Sequence, residues 1–227
     1  MKLGKFIVIE GVDGSGKATQ VRLLTEALIA KGLKVKKIDF PRYGEKSAGP
    51  IEEYLSGNYG SANDVGPYRA SVFYAIDRYA SSFQIRKWLS EGNVVIADRY
   101  IASNIGHQGG KIKSKTKRKE YLKWLYDLEY GIFKIPKPDL TIILKVSVDF
   151  SYKLSKNKSQ KKKAVDFLGK KKDIHENDKE HLKNSLNAYI ELTEAYPKDF
   201  KLIDCMNGDN ILSPEEVNLK ILKILKI

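Results

Sequence analysis

The sequence predicts an α/β fold in three layers: a five-stranded, mostly parallel sheet flanked by helices. Three observations predict it. Five short apolar runs recur along the chain, helix-compatible stretches separate them, and the first run empties into a glycine-rich loop that opens a helix. Strands that alternate with helices return to one sheet in one direction, so helices cover both of its faces. The 227 residues, 42% of them apolar, suffice for one well-filled core. One domain over residues 1–227 is expected.

The elements follow in order. Residues 6–9 are a four-residue apolar run and the first strand. Residues 17–30 read as a helix, and residues 33–40 as the second strand, which Pro41 stops. Residues 67–89 form a long helix, 93–97 the third strand, 117–131 another helix and 140–146 the fourth strand. Residues 178–195 are helical and 200–204 make the fifth strand. A last helix starts near Ser213, with Pro214 and Glu215 in its first turn. Two stretches break the rhythm. Residues 41–66 are rich in Gly, Pro, Ser and Asn; residues 153–172 carry nine lysines and no arginine. Both read as excursions from the sheet.

Composition bounds the chemistry. The formal net charge is +13, which suits polyanionic ligands. A single cysteine, Cys205, leaves no internal disulfide and fits a reducing compartment, so a cytoplasmic location is expected. Residues 1–10 lack the apolar stretch and cleavage site of a signal peptide. No run approaches the ~20 apolar residues of a membrane span. The lysine-rich stretch lacks interleaved aromatics, so nucleic acid is not an expected partner.

Gly11-Val12-Asp13-Gly14-Ser15-Gly16-Lys17 has the spacing of a phosphate-binding loop, between a strand and a helix as that motif requires. The glycines let successive backbone N–H groups converge on phosphate oxygens, and the helix start adds its positive end. Lys17 can reach the outer phosphates as a point charge. The next position ordinarily holds a hydroxyl that ligates magnesium; here it is Ala18, followed by Thr19. Either phosphates, water and carboxylates hold the metal, or the protein binds nucleotide without efficient turnover. Asp98 and Arg99 follow the third strand at the sheet edge where ligands sit. A carboxylate there suits magnesium or its waters, and a guanidinium can clamp phosphate oxygens. Tyr74 and Arg78 are spaced i, i+4 and share a helix face, where a ring and a guanidinium can hold a flat base. The amide of Asn104 offers both a donor and an acceptor.

These motifs, in order, are IEGVDGSGKATQ (9–20), DFPRYG (39–44), YAIDR (74–78), ADRYIASN (97–104), HQGG (107–110) and DIHE (173–176). Over residues 5–195 the sequence resembles the thymidylate kinases, most closely the bacterial branch in which a hydroxyl does not always follow the loop lysine. The resemblance implies the P-loop nucleoside-monophosphate-kinase fold with a short lid near 153–172, magnesium as cofactor with ATP, dTMP as acceptor and a homodimer. It implies that ATP is held by Gly11, Asp13, Gly14, Ser15, Gly16, Lys17, Ala18 and Thr19. It places Phe40, Pro41, Tyr43, Tyr74, Arg78, Ser103, Asn104, His107 and Gln108 around the acceptor. Asp13 would meet the acceptor's 3′-hydroxyl or the metal, Asp98 and Glu176 the metal, and Arg99 both sets of phosphates. His107 stands where the family usually has a larger ring against the deoxyribose. The family's lid or loop supplies an arginine to the transferring group, and this chain has none in either, so a lysine among residues 153–163, Lys156 and Lys161 foremost, is expected to serve. Another nucleoside monophosphate as acceptor, or nucleotide binding with weak or no turnover, remain alternatives.

Overall fold

The computed structural model describes residues 4–161 and 179–226, with main chain alone for 155–161. Five strands form one parallel sheet: β1 (Lys5–Gly11), β2 (Val35–Asp39), β3 (Val94–Asp98), β4 (Leu140–Lys145) and β5 (Phe200–Asp204), in spatial order β2-β3-β1-β4-β5. Every pairing is parallel. The expected sheet is therefore present, and it is wholly parallel.

The first strand explains the layering. Phe6 and Val8 point to one face, where they join residues of α3 (Ala62–Ser90), α4 (Ile101–His107), α5 (Lys115–Tyr126) and α7 (Lys179–Ala195) in one core. Ile7 and Ile9 point to the other face, against α1 (Lys17–Ala30) and α8 (Pro214–Leu225). The period of two puts alternate side chains on opposite faces, and both faces are dry. Burying such a strand on both sides is the main source of its stability, at about 25 cal/mol per Å² of apolar surface. Gln20 on α1 fastens α8 by donating to the Pro214 carbonyl at 2.9 Å. Ser213 caps α8 with a reciprocal pair of bonds to Glu216, as Ser-Pro-Glu suggests.

Three readings are refined. The excursion at 41–66 holds a 3₁₀ turn, Lys46–Ala48, and α2 (Gly49–Leu55). Pro50 sits in the first turn of α2, where proline favours helix, and Ile51, Tyr54 and Leu55 seat it in a small core of their own. The long helix begins earlier than residue 67, but Gly66 (φ 73°) and Pro67 break it at that point, so its first turn is a separate piece. The expected excursion at 153–172 is helical at its start, since α6 spans Val148–Lys161; residues 162–172 lie outside the described residues. A short hairpin, β6 (Met206–Asn207) with β7 (Asn210–Ile211), was not anticipated.

Parallel strands bring their carboxyl ends to one edge. There Gly11, Asp39 and Asp98 end β1, β2 and β3, and Ile9 and Asp39 are both register partners of Asp98. Everything that follows is built on that edge.

Candidate active site

A cleft of about 850 Å³ opens along this edge. Its floor is the loop after β1. Gly11 (φ 143°) and Gly14 (φ 80°) adopt backbone angles closed to other residues, and Gly16 (φ 89°) precedes the first turn of α1. Gly14 is needed for a second reason: a Cβ there would lie 2.6 Å from the carbonyl oxygen of Ser151, on α6. Lys17 folds back over the loop and donates to the carbonyls of Gly11 and Val12, each at 3.0 Å. Burial, then the nearby charge of Arg99, lowers its pKa to about 8. Ser15 keeps a buried hydroxyl with no partner among the described residues. Asp13, Gly14, Gly16, Lys17 and Ala18 line the cleft, whereas Gly11, Ser15 and Thr19 do not.

Arg99 is the hub. Its backbone sits at φ 69°, in the left-handed region, and its N–H donates to the Ile9 carbonyl at 3.0 Å. The guanidinium reaches across the cleft to pair with the carboxylate of Asp13 in the loop. It also lies 3.1 Å from Nε2 of His107 and 3.5 Å from the Ser103 hydroxyl. Desolvation works to raise the pKa of Asp13, but Arg99 and then Lys17 outweigh it and hold the carboxyl far below its usual range. The ion-pair partner of Arg99 is thus Asp13 and not its neighbour Asp98.

The opposite wall holds the other expected residues. Phe40 is buried and packs on Tyr100 with ring centroids 5.5 Å apart, so it serves the core as well as the cleft. Pro41 and the half-exposed Tyr43 continue that rim. Tyr74 and Arg78 both face the cleft, as their spacing predicts, but they are not a surface pair: Arg78 is 1% exposed. Its Nε and Nη2 donate to both oxygens of Glu129 at 2.6 and 2.7 Å, and Nη1 to the Tyr100 carbonyl at 3.3 Å. Asn104 donates to the Ser71 carbonyl at 3.1 Å, and Gln108 accepts from Lys111 at 2.8 Å; both line the cleft. Lys156 and Lys161 stand on α6, but their side chains, and the whole of Glu176, lie outside the described residues.

Several residues escaped the sequence reading. Glu10, fully buried at the end of β1, accepts from the N–H groups of Tyr100 and Ser103 at 2.7 and 2.9 Å. Both amides lie at the start of α4, where the Ser103 N–H also reaches the Tyr100 carbonyl at 3.2 Å, so a carboxylate from β1 caps a helix ninety residues away. The hydroxyls of Ser103 and Tyr189 also donate to it, at 2.8 and 3.0 Å. Burial pushes its pKa up, against the pull of Arg99. Glu129 anchors Arg78, and buried Asp77 holds Arg42 through its backbone N–H at 2.9 Å and its Nε at 3.0 Å. Asp39 lies beside Asp98; partial burial and that neighbouring charge raise its pKa. Glu10, Asp39 and Asp77 lie inside motifs already quoted, but only the fold shows what they hold.

A phosphate-cradling loop that faces an aromatic and amide wall across one cleft, with a guanidinium bridging the two, is the layout of a P-loop kinase acting on a second nucleotide. The family model described as thymidylate kinase matches residues 9–212. The chain belongs to the thymidylate kinase family. A thymidylate kinase of Mycobacterium tuberculosis is 34% identical over 188 residues, covering 82% of this chain and 84% of that one. The human thymidylate kinase is 30% identical over 145 residues, covering 64% and 62%. The solved structure of thymidylate kinase from Candida albicans superposes with a TM-score of 0.72 at 24% identity, covering 99% of this chain and 92% of that one, which supports the fold.

Proposed function

We propose that the chain transfers the terminal phosphoryl group of ATP to dTMP by in-line displacement. A phosphate oxygen of dTMP attacks the terminal phosphorus, the bond from that phosphorus to the bridging oxygen breaks, and ADP leaves as dTDP forms. The acceptor phosphate is largely ionised at neutral pH, so no strong general base is required. The protein's work is to position the groups and to neutralise charge on the transferring oxygens. One observation supports this reading above others: Arg99 touches the loop through Asp13 and the acceptor wall through His107 and Ser103. Lys17 would leave its loop carbonyls for phosphate oxygens. Tyr74, Arg78 and Asn104 would hold the base, with Phe40, Pro41, Tyr43, His107 and Gln108 around the sugar and phosphate. Lys156 and Lys161 would add charge from α6.

The edge carboxylates suit magnesium. Asp98 and Asp39 present hard oxygens side by side; burial first and then the charge of Asp98 raise the Asp39 pKa, and a cation there would relieve that repulsion. Asp13 fits less well, since Arg99 already neutralises it. Among the described residues no cluster of three or more metal-binding side chains exists, so phosphate and water would complete the shell. When bound, the ion neutralises charge on the phosphates. We place the enzyme in the cytoplasm; among the described residues no helix is long and apolar enough to cross a membrane. We also propose a homodimer through α3, where Ile76, Tyr79 and Phe83 stand exposed at helical spacing on one face. Sedimentation giving the mass of a single chain would overturn that assembly.

The acceptor panel tests the reaction. Purified protein with ATP and magnesium is offered each nucleoside and deoxynucleoside monophosphate, and ADP is followed; dTMP is expected to give the highest kcat/KM. The absence of any acceptor-dependent ADP would leave a nucleotide-binding protein in its place. The variant Ala18→Ser addresses the metal. A hydroxyl added at the loop supplies one more oxygen, so half-saturation should shift to lower magnesium, by a few-fold. An unchanged titration would mean that carboxylates and water already suffice.

A further inference from the structure

Two of the chain's three histidines meet at the edge of the cleft. His107 ends α4, and His181 lies in the first turn of α7. Nδ1 of His107 is 3.3 Å from Nε2 of His181, and Nε2 of His107 is 3.1 Å from Nη1 of Arg99. The chemistry gives this line a direction. A guanidinium only donates, so Nε2 of His107 must accept. A neutral imidazole that accepts at Nε2 carries its proton on Nδ1. That proton points at His181, whose Nε2 must then be bare. A charged His107 would set two donors face to face with Arg99. Burial, and then Arg99 itself, hold the His107 pKa well below its ordinary value; Asp13 opposes this, while His181 and Lys17 add to it. Tyr189 closes the third side, edge-on to the His107 ring at 6.2 Å.

We propose that His181 is a positioning residue for the transfer: by accepting from His107 it fixes the tautomer that holds Arg99 over the loop. This rests on the reading that Arg99 serves the transferring phosphoryl group. The guanidinium has one partner in the half-exposed Asp13, which phosphates would displace or repel, a second in His107 at 3.1 Å and a longer contact to the Ser103 hydroxyl at 3.5 Å. Once substrate enters, His107 is the shorter of the two contacts that keep the planar fork from swinging, and its own orientation depends on the acceptor at position 181.

Two variants and one spectrum test it. His181→Leu removes the acceptor, whereas His181→Gln offers a carbonyl oxygen in its place. Loss of kcat by roughly tenfold or more in His181→Leu is expected, with both KM values within about twofold of the parent, and recovery in His181→Gln. The imidazole ¹⁵N–¹H spectrum of the unmodified protein should show His107 protonated on Nδ1, and this holds as a test even where the leucine variant fails to fold. A His107 protonated on Nε2, or a folded leucine variant with undiminished kcat, overturns the proposal. Arg99→Ala separates the two levels. If it abolishes transfer while His181→Leu does not, only the present inference falls; if it leaves transfer intact, the reading of Arg99 falls and this one with it.

Discussion

Replacing Arg99 with alanine is expected to lower kcat/KM by about 10²–10³-fold, the usual loss when one preorganised donor to a transferring phosphoryl group is removed. The geometry argues for the upper part of that range. Among the described residues Arg99 bridges the cleft, and without it the ion-pair partner left to Asp13 there is Lys17, 3.9 Å away. Lysine at position 99 should restore little, because a point charge cannot meet Asp13, His107 and Ser103 together as a planar fork does. Glycine is the more instructive change. Arg99 occupies the left-handed region at φ 69°, which costs a side-chain-bearing residue ~1–2 kcal/mol. Arg99→Gly releases that strain, so its melting temperature should match or exceed that of Arg99→Ala while its activity is as low. Steady-state kinetics and thermal melts on the pair read both quantities. An alanine variant within about threefold of the parent would remove Arg99 from the mechanism.

Glu129→Gln is expected to cost about 3–5 kcal/mol of stability, because it removes the carboxylate that pairs directly with the buried Arg78 guanidinium. For a chain of this size each kcal/mol moves the melting temperature by roughly 2–4 °C, so a fall on the order of 10 °C should appear in a calorimetric scan. The double variant Arg78→Met/Glu129→Leu fills the same space with apolar atoms, and such replacements are often neutral or stabilising. It should regain most of the stability. It should not regain acceptor binding if Arg78 holds the base as proposed: KM for dTMP is then expected to stay at least tenfold high while KM for ATP stays near the parent. Equal recovery of both would mean that the ion pair serves the fold alone.

These two residues also mark what the sequence discloses. Arg99 is legible because its setting is local: an apolar strand, an Asp-Arg pair, then a helix, so its place at the sheet edge follows from neighbours in the chain. The loop 11–17 is legible for the same reason. Glu129 is not, since its partner is 51 positions away and it sits in a π-helical turn, Asp127–Ile132, that no periodicity announces. Glu10 and Tyr189, 179 positions apart, and the two histidines, 74 apart, are likewise joined only by the fold. Helix α2 was hidden for a different reason. Gly49 and Pro50 read as breakers, whereas Pro50 is a helix opener at that position and the i, i+3, i+4 spacing of Ile51, Tyr54 and Leu55 was the usable signal. In residues 153–161 the lysines masked the second half of α6, because composition outweighed the apolar positions at its start.

The clearance at Gly14 ties two parts of the enzyme together. Since that loop glycine gives α6 room to approach, the loop cannot be re-engineered without regard to α6: exchanging it for one with a side chain at position 14 would drive a Cβ into the main chain at Ser151. The two should be transplanted as a single cassette.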